Sequence, residues 1–329
     1  MKYIGGKMLI SENEVKLFSG TSNRPLAEKI SKELGLPLGN LHISHFADGE
    51  IAVKINEIVR GRDVFLIQPT SKPVNDNLME ALIIIDALKR ASAHKINLVM
   101  PYYGYARQDR KSSGREPITA KLVTDLIQAA GADRVVCVDL HADQIQGFFN
   151  IPLDHLTARP VIAEYFEKVI AESGKDNWTV VSPDLGGVTR ARRLADVLGL
   201  PIAIIEKSRP RPNESEILNV IGEFKGKNCI IVDDMIDTAG TIVNASETLK
   251  KEGAEEVYIT ASHGVLSGPA IDRIKNSCVK QCVITDTIDH PELEDIENIT
   301  ILSMAPMLTE TIKAIATYKS VSDIMKEKK

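Results

Sequence analysis

Short apolar runs alternate along the chain with stretches of helical period. Val15 to Phe18 has strand character, and Asn23 with Pro25 marks a helix start that Leu26, Ile30 and Leu34 carry to Gly35. Ile51, Val53 and Ile55 alternate with polar neighbours behind His45-Phe46-Ala47-Asp48-Gly49-Glu50, which predicts a hairpin turning at Asp48-Gly49. Val64 to Ile67 and Ile96 to Met100 predict strands on either side of a helix marked by Leu78, Leu82, Ile85 and Leu88 and ending near Ala93. A helix from Ile118 to Ala130 leads through Gly131 into a strand, Val135 to Val138, that ends in Asp139-Leu140-His141.

The second half repeats the cycle. Pro160 to Ala171 predicts a helix, and Gly174 to Asn177 a polar break. Thr179 to Val181 predicts a strand closing in Ser182-Pro183-Asp184-Leu185-Gly186-Gly187, followed by a helix from Val188 to Leu198. Ile202 to Ile205 predicts a strand that runs into an irregular loop, Glu206 to Asn213. Cys229 to Val232 predicts a fully buried strand closed by Asp233 and Asp234, then a turn at Asp237-Thr238-Ala239-Gly240-Thr241 and a helix from Ile242 to Glu252. Val257 to Ala261 predicts a further strand, and a last helix lies near Leu308 to Ala316. Strands alternating with helices twice over predict an α/β chain of mainly parallel sheets flanked by helices, with ligands at the carboxyl ends of the strands. The matching strand ends at Asp139 and Asp233 suggest two related halves.

Length fits two halves. At 329 residues the chain exceeds the usual single core, and the expected division is 1–156 and 157–329, with the last helix free to pack on the first domain. Hydrophobic content of 43% with 26% charged residues is that of a globular protein rather than a disordered one. A net charge of −5 argues against bulk nucleic-acid binding but leaves room for a local basic pocket. No apolar run approaches the ~18 residues that cross a membrane, and Met1 to Ile10 lacks a secretory apolar core. Cys137 and Cys229 sit in strand-like runs, and Cys278 and Cys282 form no metal-ligand motif, so a reduced, cytoplasmic protein is expected.

The chemistry concentrates in a few strings. Asp233 and Asp234 are placed to accept hydrogen bonds from vicinal sugar hydroxyls. Thr238, Ala239, Gly240 and Thr241 before a helix can wrap a phosphate with backbone N–H groups and two hydroxyls. Asp184 reads equally as a helix cap or as a metal or ribose contact. Asp139 and His141 read as structural or as ligands, and a His ligand would be unusual for Mg2+. Lys207, Arg209 and Arg211 share a stretch with Pro210 and Pro212, expected to form no strand ladder. Such a loop either closes over a polyphosphate or is a solvated basic segment. The connection Pro101 to Glu116 carries three tyrosines with Arg107, Gln108, Arg110 and Lys111. Arg107 suits phosphates or a base face and Gln108 an adenine edge. A single-strand nucleic-acid patch has the same composition, but the acidic net charge favours a nucleotide.

Taken together, Phe46-Ala-Asp-Gly-Glu50, Tyr102 to Lys111, Asp139-Leu-His141, Ser182 to Arg190, Lys207 to Asn213 and Val232 to Thr241 resemble the class I ribose-phosphate diphosphokinases, the PRPP synthetases, over nearly the whole chain. The resemblance implies two domains of type I phosphoribosyltransferase-like fold assembled into homohexamers. It implies transfer of the β,γ-diphosphate of ATP to the 1-hydroxyl of ribose 5-phosphate, giving PRPP and AMP for nucleotide biosynthesis. Phe46, Asp48, Gly49 and Glu50 would hold the adenine from a neighbouring subunit, with Arg107 and Gln108 on ATP. His141 and Asp184 would bind Mg2+, with Asp139 and Asp154 as further candidates. Lys207 and Arg209 would be the catalytic cations. Arg209, Asp233, Asp234 and Asp237 to Thr241 would bind ribose 5-phosphate. No nucleic-acid or membrane partner is expected.

Three positions depart from the family pattern: Asn150 stands where Asp is usual, Ser208 where many relatives are charged, and Ala47 where Ser is more common. A phosphoribosyltransferase would share the Val232-to-Thr241 string but not the nucleotide motifs. A non-catalytic regulatory homologue would be expected to have lost the Lys207/Arg209 or Asp233/Asp237 residues, and all four are present.

Overall fold

The computed structural model describes residues 2–4, 7–9, 14–211, 214–293 and 295–324, with backbone alone at 2–4, 7–9, 207–211 and 214–218. The chain divides into two compact units. One runs through Thr157 and adds Thr287–Asp289 and the segment from Ser303; the other takes Ala158–Asp286 and His290–Leu302.

The first unit begins with a small hairpin, β1 (Lys2–Ile4) and β2 (Lys7–Leu9). Its main sheet is built from β3 (Val15–Ser19), β6 (Asp63–Ile67), β7 (Lys95–Met100), β8 (Arg134–Val138) and β9 (Leu153–Leu156), parallel throughout and adjacent in that order. Helices α1 (Arg24–Leu34), α2 (Val74–Arg90) and α3 (Thr119–Ala130) connect them. The punctuation read from sequence acts as expected: the Asn23 side chain accepts from the Leu26 N–H at 3.1 Å, and Gly35 ends α1 in the left-handed region at φ +68°. A separate hairpin, β4 (Leu41–His45) with β5 (Ile51–Ile55), turns through Phe46 to Glu50.

The second unit opens with α4 (Arg159–Ser173) and carries a seven-stranded sheet. Its strands, in chain order, are β10 (Trp178–Ser182), β11 (Ile202–Arg211), β12 (Glu214–Ile221), β13 (Asn228–Ile236), β14 (Val257–Gly264), β15 (Val279–Thr285) and β16 (Ile299–Leu302). The sheet order is β12-β11-β10-β13-β14-β15-β16, and only the β11–β12 pair is antiparallel. Helices α5 (Val188–Leu198), α6 (Gly240–Lys251) and α7 (Ala270–Lys275) connect the strands. The last helix, α8 (Ala305–Ala316), packs on α1 in the first unit. Buried Val, Ile and Leu of the central strands form the core of each sheet, as two-sided burial of parallel strands requires.

The two units share one wiring scheme. In each, the first strand and helix lead to an outer pairing, Leu17 with Leu38 in the first unit and Val180 with Ile202 in the second. An antiparallel hairpin follows, β4–β5 or β11–β12, before the chain returns to the other side of the first strand. The hairpin bearing Phe46 and the one bearing Lys207 are therefore counterparts.

Two expectations change. The stretch after Ile205 is not an irregular loop: β11 extends to Arg211, with Lys207 opposite Ile217 and Ser208 opposite Glu216. Its one proline, Pro210, is tolerated because β11 pairs there only with β12 in a hairpin whose register slips on both sides of Lys207-Ser208. Pro212, Asn213 and the side chains of Lys207 to Arg211 lie outside the described residues. Asp233 and Asp234 do not close their strand either, since β13 continues to Ile236, opposite Gly264 of β14.

Candidate active site

In the second unit, β13 is paired unequally. Its ladder with β10 stops at Val181 opposite Ile231, whereas its ladder with β14 runs on to Ile236. The edge of residues 232–236 that faces away from β14 is thus left open by β10. Arg190, on the first turn of α5, reaches the acids there. Its Nη1 lies 2.9 Å from Asp233 Oδ1 and its Nη2 3.2 Å from Asp234 Oδ1. Asp234 is buried, and Asp233 is about one-third exposed. Burial, reinforced by the neighbouring Asp234, pushes the Asp233 carboxyl up to about 7 despite the opposing pull of Arg190.

Beyond β13 the chain makes a tight, braced turn. Val265 and Leu266 N–H groups donate to the Ile236 carbonyl, and the Ser267 N–H donates to that of Asp237. Arg273 Nη1 donates to the Thr238 carbonyl at 2.8 Å. Ala239 then takes φ +59°, a left-handed conformation that costs a non-glycine residue about 1–2 kcal/mol, and α6 starts at Gly240. The turn therefore delivers the first N–H groups of α6 together with Thr238 and Thr241, the arrangement expected of a phosphate cradle.

Asp184 lies on the loop between β10 and α5. Its Oδ1 accepts from the Gly187 N–H at 2.9 Å, and Ser182 Oγ donates to its main-chain carbonyl at 2.6 Å. One carboxylate oxygen is thus committed to the helix start.

In the first unit, Phe46, Asp48, Gly49 and Glu50 form an exposed hairpin tip. Phe46 is 61% exposed, Gly49 sits at φ +96°, and the Glu50 N–H donates to Asp48 Oδ1 at 3.1 Å. Arg107 and Gln108 are exposed on the connection after β7, which is anchored rather than loose. Tyr103 OH donates to the Ala120 carbonyl at 2.8 Å, Tyr105 OH to Asn75 Oδ1, and Thr119 Oγ1 to Gln108 Oε1. Asp139 follows β8 at φ +34°, a strained conformation held by two bonds to β9: its N–H donates to the Leu156 carbonyl, and the Leu140 N–H to His155 Nε2. The exposed His141 follows. Asp154 is engaged elsewhere, 2.5 Å from Arg134 Nη1.

Arg190, His155 and Arg273 were not singled out from sequence for any role. Arg190 and Asp233 are 43 positions apart, so no local spacing signals their contact. Asn150 is exposed, and its N–H donates to Gln128 Oε1 at 2.7 Å. A cavity of about 430 Å³ lies beside the end of β3 and the start of α2, and its lining includes His45 and Ile51 at the base of the Phe46-to-Glu50 tip. Its buried Glu80 is occupied internally by the Thr21 N–H, Thr21 Oγ1 and Gln68 Nε2.

Among the described residues no three His, Cys, Asp or Glu side chains form a metal-holding group, and no helix is long and apolar enough to cross a membrane.

Comparison with known proteins gives a consistent result. Residues 15–131 match the N-terminal domain of ribose phosphate pyrophosphokinase, and residues 188–326 match the phosphoribosyl synthetase-associated domain. The ribose-phosphate pyrophosphokinase of Clostridium perfringens is 56% identical over 314 residues, covering 95% of this chain and 98% of the relative. That of Caldanaerobacter subterraneus subsp. tengcongensis is 57% identical over 312 residues, covering 95% and 98%. The crystal structure of phosphoribosylpyrophosphate synthetase from Mycobacterium smegmatis superposes with a TM-score of 0.87 at 45% identity, covering 93% of this chain and 99% of that one.

Proposed function

Because the chain belongs to the ribose-phosphate pyrophosphokinase family, we propose that it transfers the β,γ-diphosphate of ATP to the 1-hydroxyl of ribose 5-phosphate, giving PRPP and AMP. The observation that carries this reading is the run from Asp233 through Thr241, where an acidic pair and a strained turn into α6 come one after the other. The pair suits the sugar diol, and the turn suits the 5-phosphate.

The reaction is a displacement at phosphorus. The anomeric hydroxyl oxygen forms a bond to the β-phosphorus, the bond from that phosphorus to the α,β-bridging oxygen breaks, AMP departs with the electron pair, and the hydroxyl proton is released to solvent. Little covalent chemistry falls to the protein, so positioning and charge neutralisation dominate. Asp237 to Thr241 hold the phosphate end of the acceptor. Asp233 and Asp234 hold its 2- and 3-hydroxyls and fix the direction of the 1-hydroxyl. Arg107 and Gln108 take ATP, and the Phe46-to-Glu50 tip takes the adenine of a neighbouring copy. Lys207 and Arg209 bring positive charge to the transferring group.

Mg2+ fits part of the donor set. It keeps several waters and is held by few protein groups alongside substrate phosphates. The candidates to hold it are Asp184 in the second unit, whose second oxygen is not committed to the helix start, and the exposed His141 and half-buried Asp139 in the first. Asp154 suits it poorly, because Arg134 already neutralises that carboxylate. When bound, the ion would neutralise phosphate oxygens and so lower the repulsion that the incoming hydroxyl meets.

Assembly as a homohexamer is part of the same reading. It is supported by the exposed Ile118, just before α3, and Leu122 and Leu126 on its following turns, which offer an apolar stripe to another copy. A cytoplasmic setting suits an enzyme of nucleotide biosynthesis with four free cysteines.

The test is formation of AMP and PRPP from ATP and ribose 5-phosphate with Mg2+. Stoichiometric appearance of both supports the reading. Well-folded protein that forms neither overturns it.

A further inference from the structure

Neighbouring side chains on a regular strand point to opposite faces, so Asp233 and Asp234 would ordinarily diverge. Here one guanidinium meets both, at 2.9 and 3.2 Å. Two features of the fold permit this. The β10 ladder ends at Ile231, which leaves the edge beside the acids open, and α5 starts just beyond β10, which carries Arg190 to that edge. The Asp234 N–H also donates to Asp233 Oδ1 at 2.9 Å, which ties the first carboxylate back over the second residue. A planar fork with two donors is the side chain that can satisfy one oxygen of each acid at once; an ammonium cannot match that geometry.

We propose that Arg190 is a positioning residue that sets the Asp233 and Asp234 carboxylates as a clamp for the vicinal hydroxyls of the pentose phosphate, and so determines the enzyme's preference for a sugar with both hydroxyls. The inference rests on the reading of Asp233 to Thr241 as the ribose 5-phosphate site. Without the fork, no group on α5 would join the two carboxylates, and their setting relative to one another would relax. The phosphate cradle at Thr238 to Thr241 is braced separately, by Arg273 and the 265–267 segment, and would survive the change.

The experiment compares ribose 5-phosphate with 2-deoxyribose 5-phosphate as acceptors for the wild type, Arg190→Gln and Arg190→Lys, at saturating ATP and Mg2+. Loss of one charge-assisted contact to a hydroxyl corresponds to about a ten- to hundredfold effect. In Arg190→Gln, kcat/KM for ribose 5-phosphate should fall by that factor while the value for the deoxy sugar changes far less, so that discrimination collapses. KM for ATP should stay near wild type. Arg190→Lys, which keeps the charge but not the fork, should fall between. If Arg190→Gln proves unstable, Arg190→Lys alone decides through the same ratio.

Equal losses for both acceptors, or a rise confined to KM for ATP, would overturn the proposal. So would a lowered melting temperature with discrimination unchanged. Absence of PRPP formation by the wild type would instead strike the underlying reading, so the two failures are distinguishable.

Discussion

Arg273 Nη1 donates to the main-chain carbonyl of Thr238 at 2.8 Å, so a side chain on α7 fixes the backbone of the turn that precedes α6. The same Nη1 would lie 3.3 Å from a Cβ placed on Gly240, close enough that the arginine also fills the back of the turn. Arg273→Ala should therefore loosen the phosphate cradle without unfolding its surroundings, since the side chain is exposed. We expect KM for ribose 5-phosphate to rise about three- to tenfold with kcat nearly kept, as befits one charge-assisted bond partly shared with water. Steady-state kinetics at fixed ATP would check this. An unchanged KM would mean that the 265–267 contacts alone hold the turn.

Ala239 offers a sharper probe of the same turn. Its φ of +59° is tolerable for a methyl side chain and poor for a branched one, and the residue is buried. Ala239→Val should lose ribose 5-phosphate binding and about 2 kcal/mol or more of stability, through backbone strain plus overpacking. Ala239→Gly relieves the strain at the cost of a buried methyl and should stay within about 1 kcal/mol of wild type. Urea titrations of the two variants would show whether conformation or volume governs the site.

The titration of Asp233 gives opposite signs for folding and for binding. Its ordinary value is 3.8, and burial beside Asp234 raises it to about 7 while Arg190 pulls the other way. Between these values the folded chain keeps a proton that the unfolded chain has released. This group's contribution to stability is therefore full at low pH and is lost as pH rises to about 7. Acceptor affinity moves in the other direction, because only the ionised carboxylate accepts freely from sugar hydroxyls. We expect kcat/KM for ribose 5-phosphate to fall as pH drops below about 7, and Asp233→Asn to lower the plateau and flatten that limb. A wild-type limb that persists unchanged in Asp233→Asn would assign it to another group.

Much of this architecture is legible in the chain because its signals are local. Asn23 and Gly35 bracket α1, Asp48-Gly49 turns the first hairpin, and the apolar runs at Val135 and Cys229 become central strands. What escapes is non-local or masked by polar residues. β15 begins Val279-Lys280-Gln281 and holds only three consecutive apolar residues, Cys282 to Ile284, before Thr285, so its pattern is too short for a buried run and is no clean alternation. Pro210 argues against a ladder at β11, yet a hairpin with slipped register accommodates it. The acids at Asp233 and Asp234 were visible in sequence, whereas the arginine that joins them was not. It becomes visible only once β10 is seen to end early beside β13.

Asp184 and Asp154 should separate metal binding from stability. Asp184 has one oxygen on the Gly187 N–H, and Asp154 is paired with Arg134 at 2.5 Å. Asp184→Asn should raise the Mg2+ concentration needed for half-maximal activity several-fold, with little change in melting temperature, because an amide oxygen can still accept from the Gly187 N–H. Asp154→Asn should leave the Mg2+ requirement unchanged and cost about 1 kcal/mol, since it strands a half-buried arginine. Mg2+ titrations of activity alongside thermal melts would decide, and a raised requirement in Asp154→Asn would return that residue to the metal set.

Lys207 and Arg209 bear on the chemical step itself. Both lie on β11 within the hairpin whose register slips beside them, and the counterpart hairpin in the first unit carries the exposed Phe46 tip. A cation that meets charge mainly as the diphosphate transfers contributes to the transition state and little to the ground state, so its loss should appear in kcat rather than in substrate binding. Lys207→Ala and Arg209→Ala should each lower kcat by about a hundredfold or more, the scale found when one preorganised donor is removed from developing charge. The dissociation constant for ATP should change by less than about threefold. The combined variant should lose less than the product of the two, because both act on the same charge. Rapid-quench measurement of AMP formation with equilibrium binding of ATP would test this. Wild-type turnover in either single variant would remove that residue from the catalytic step.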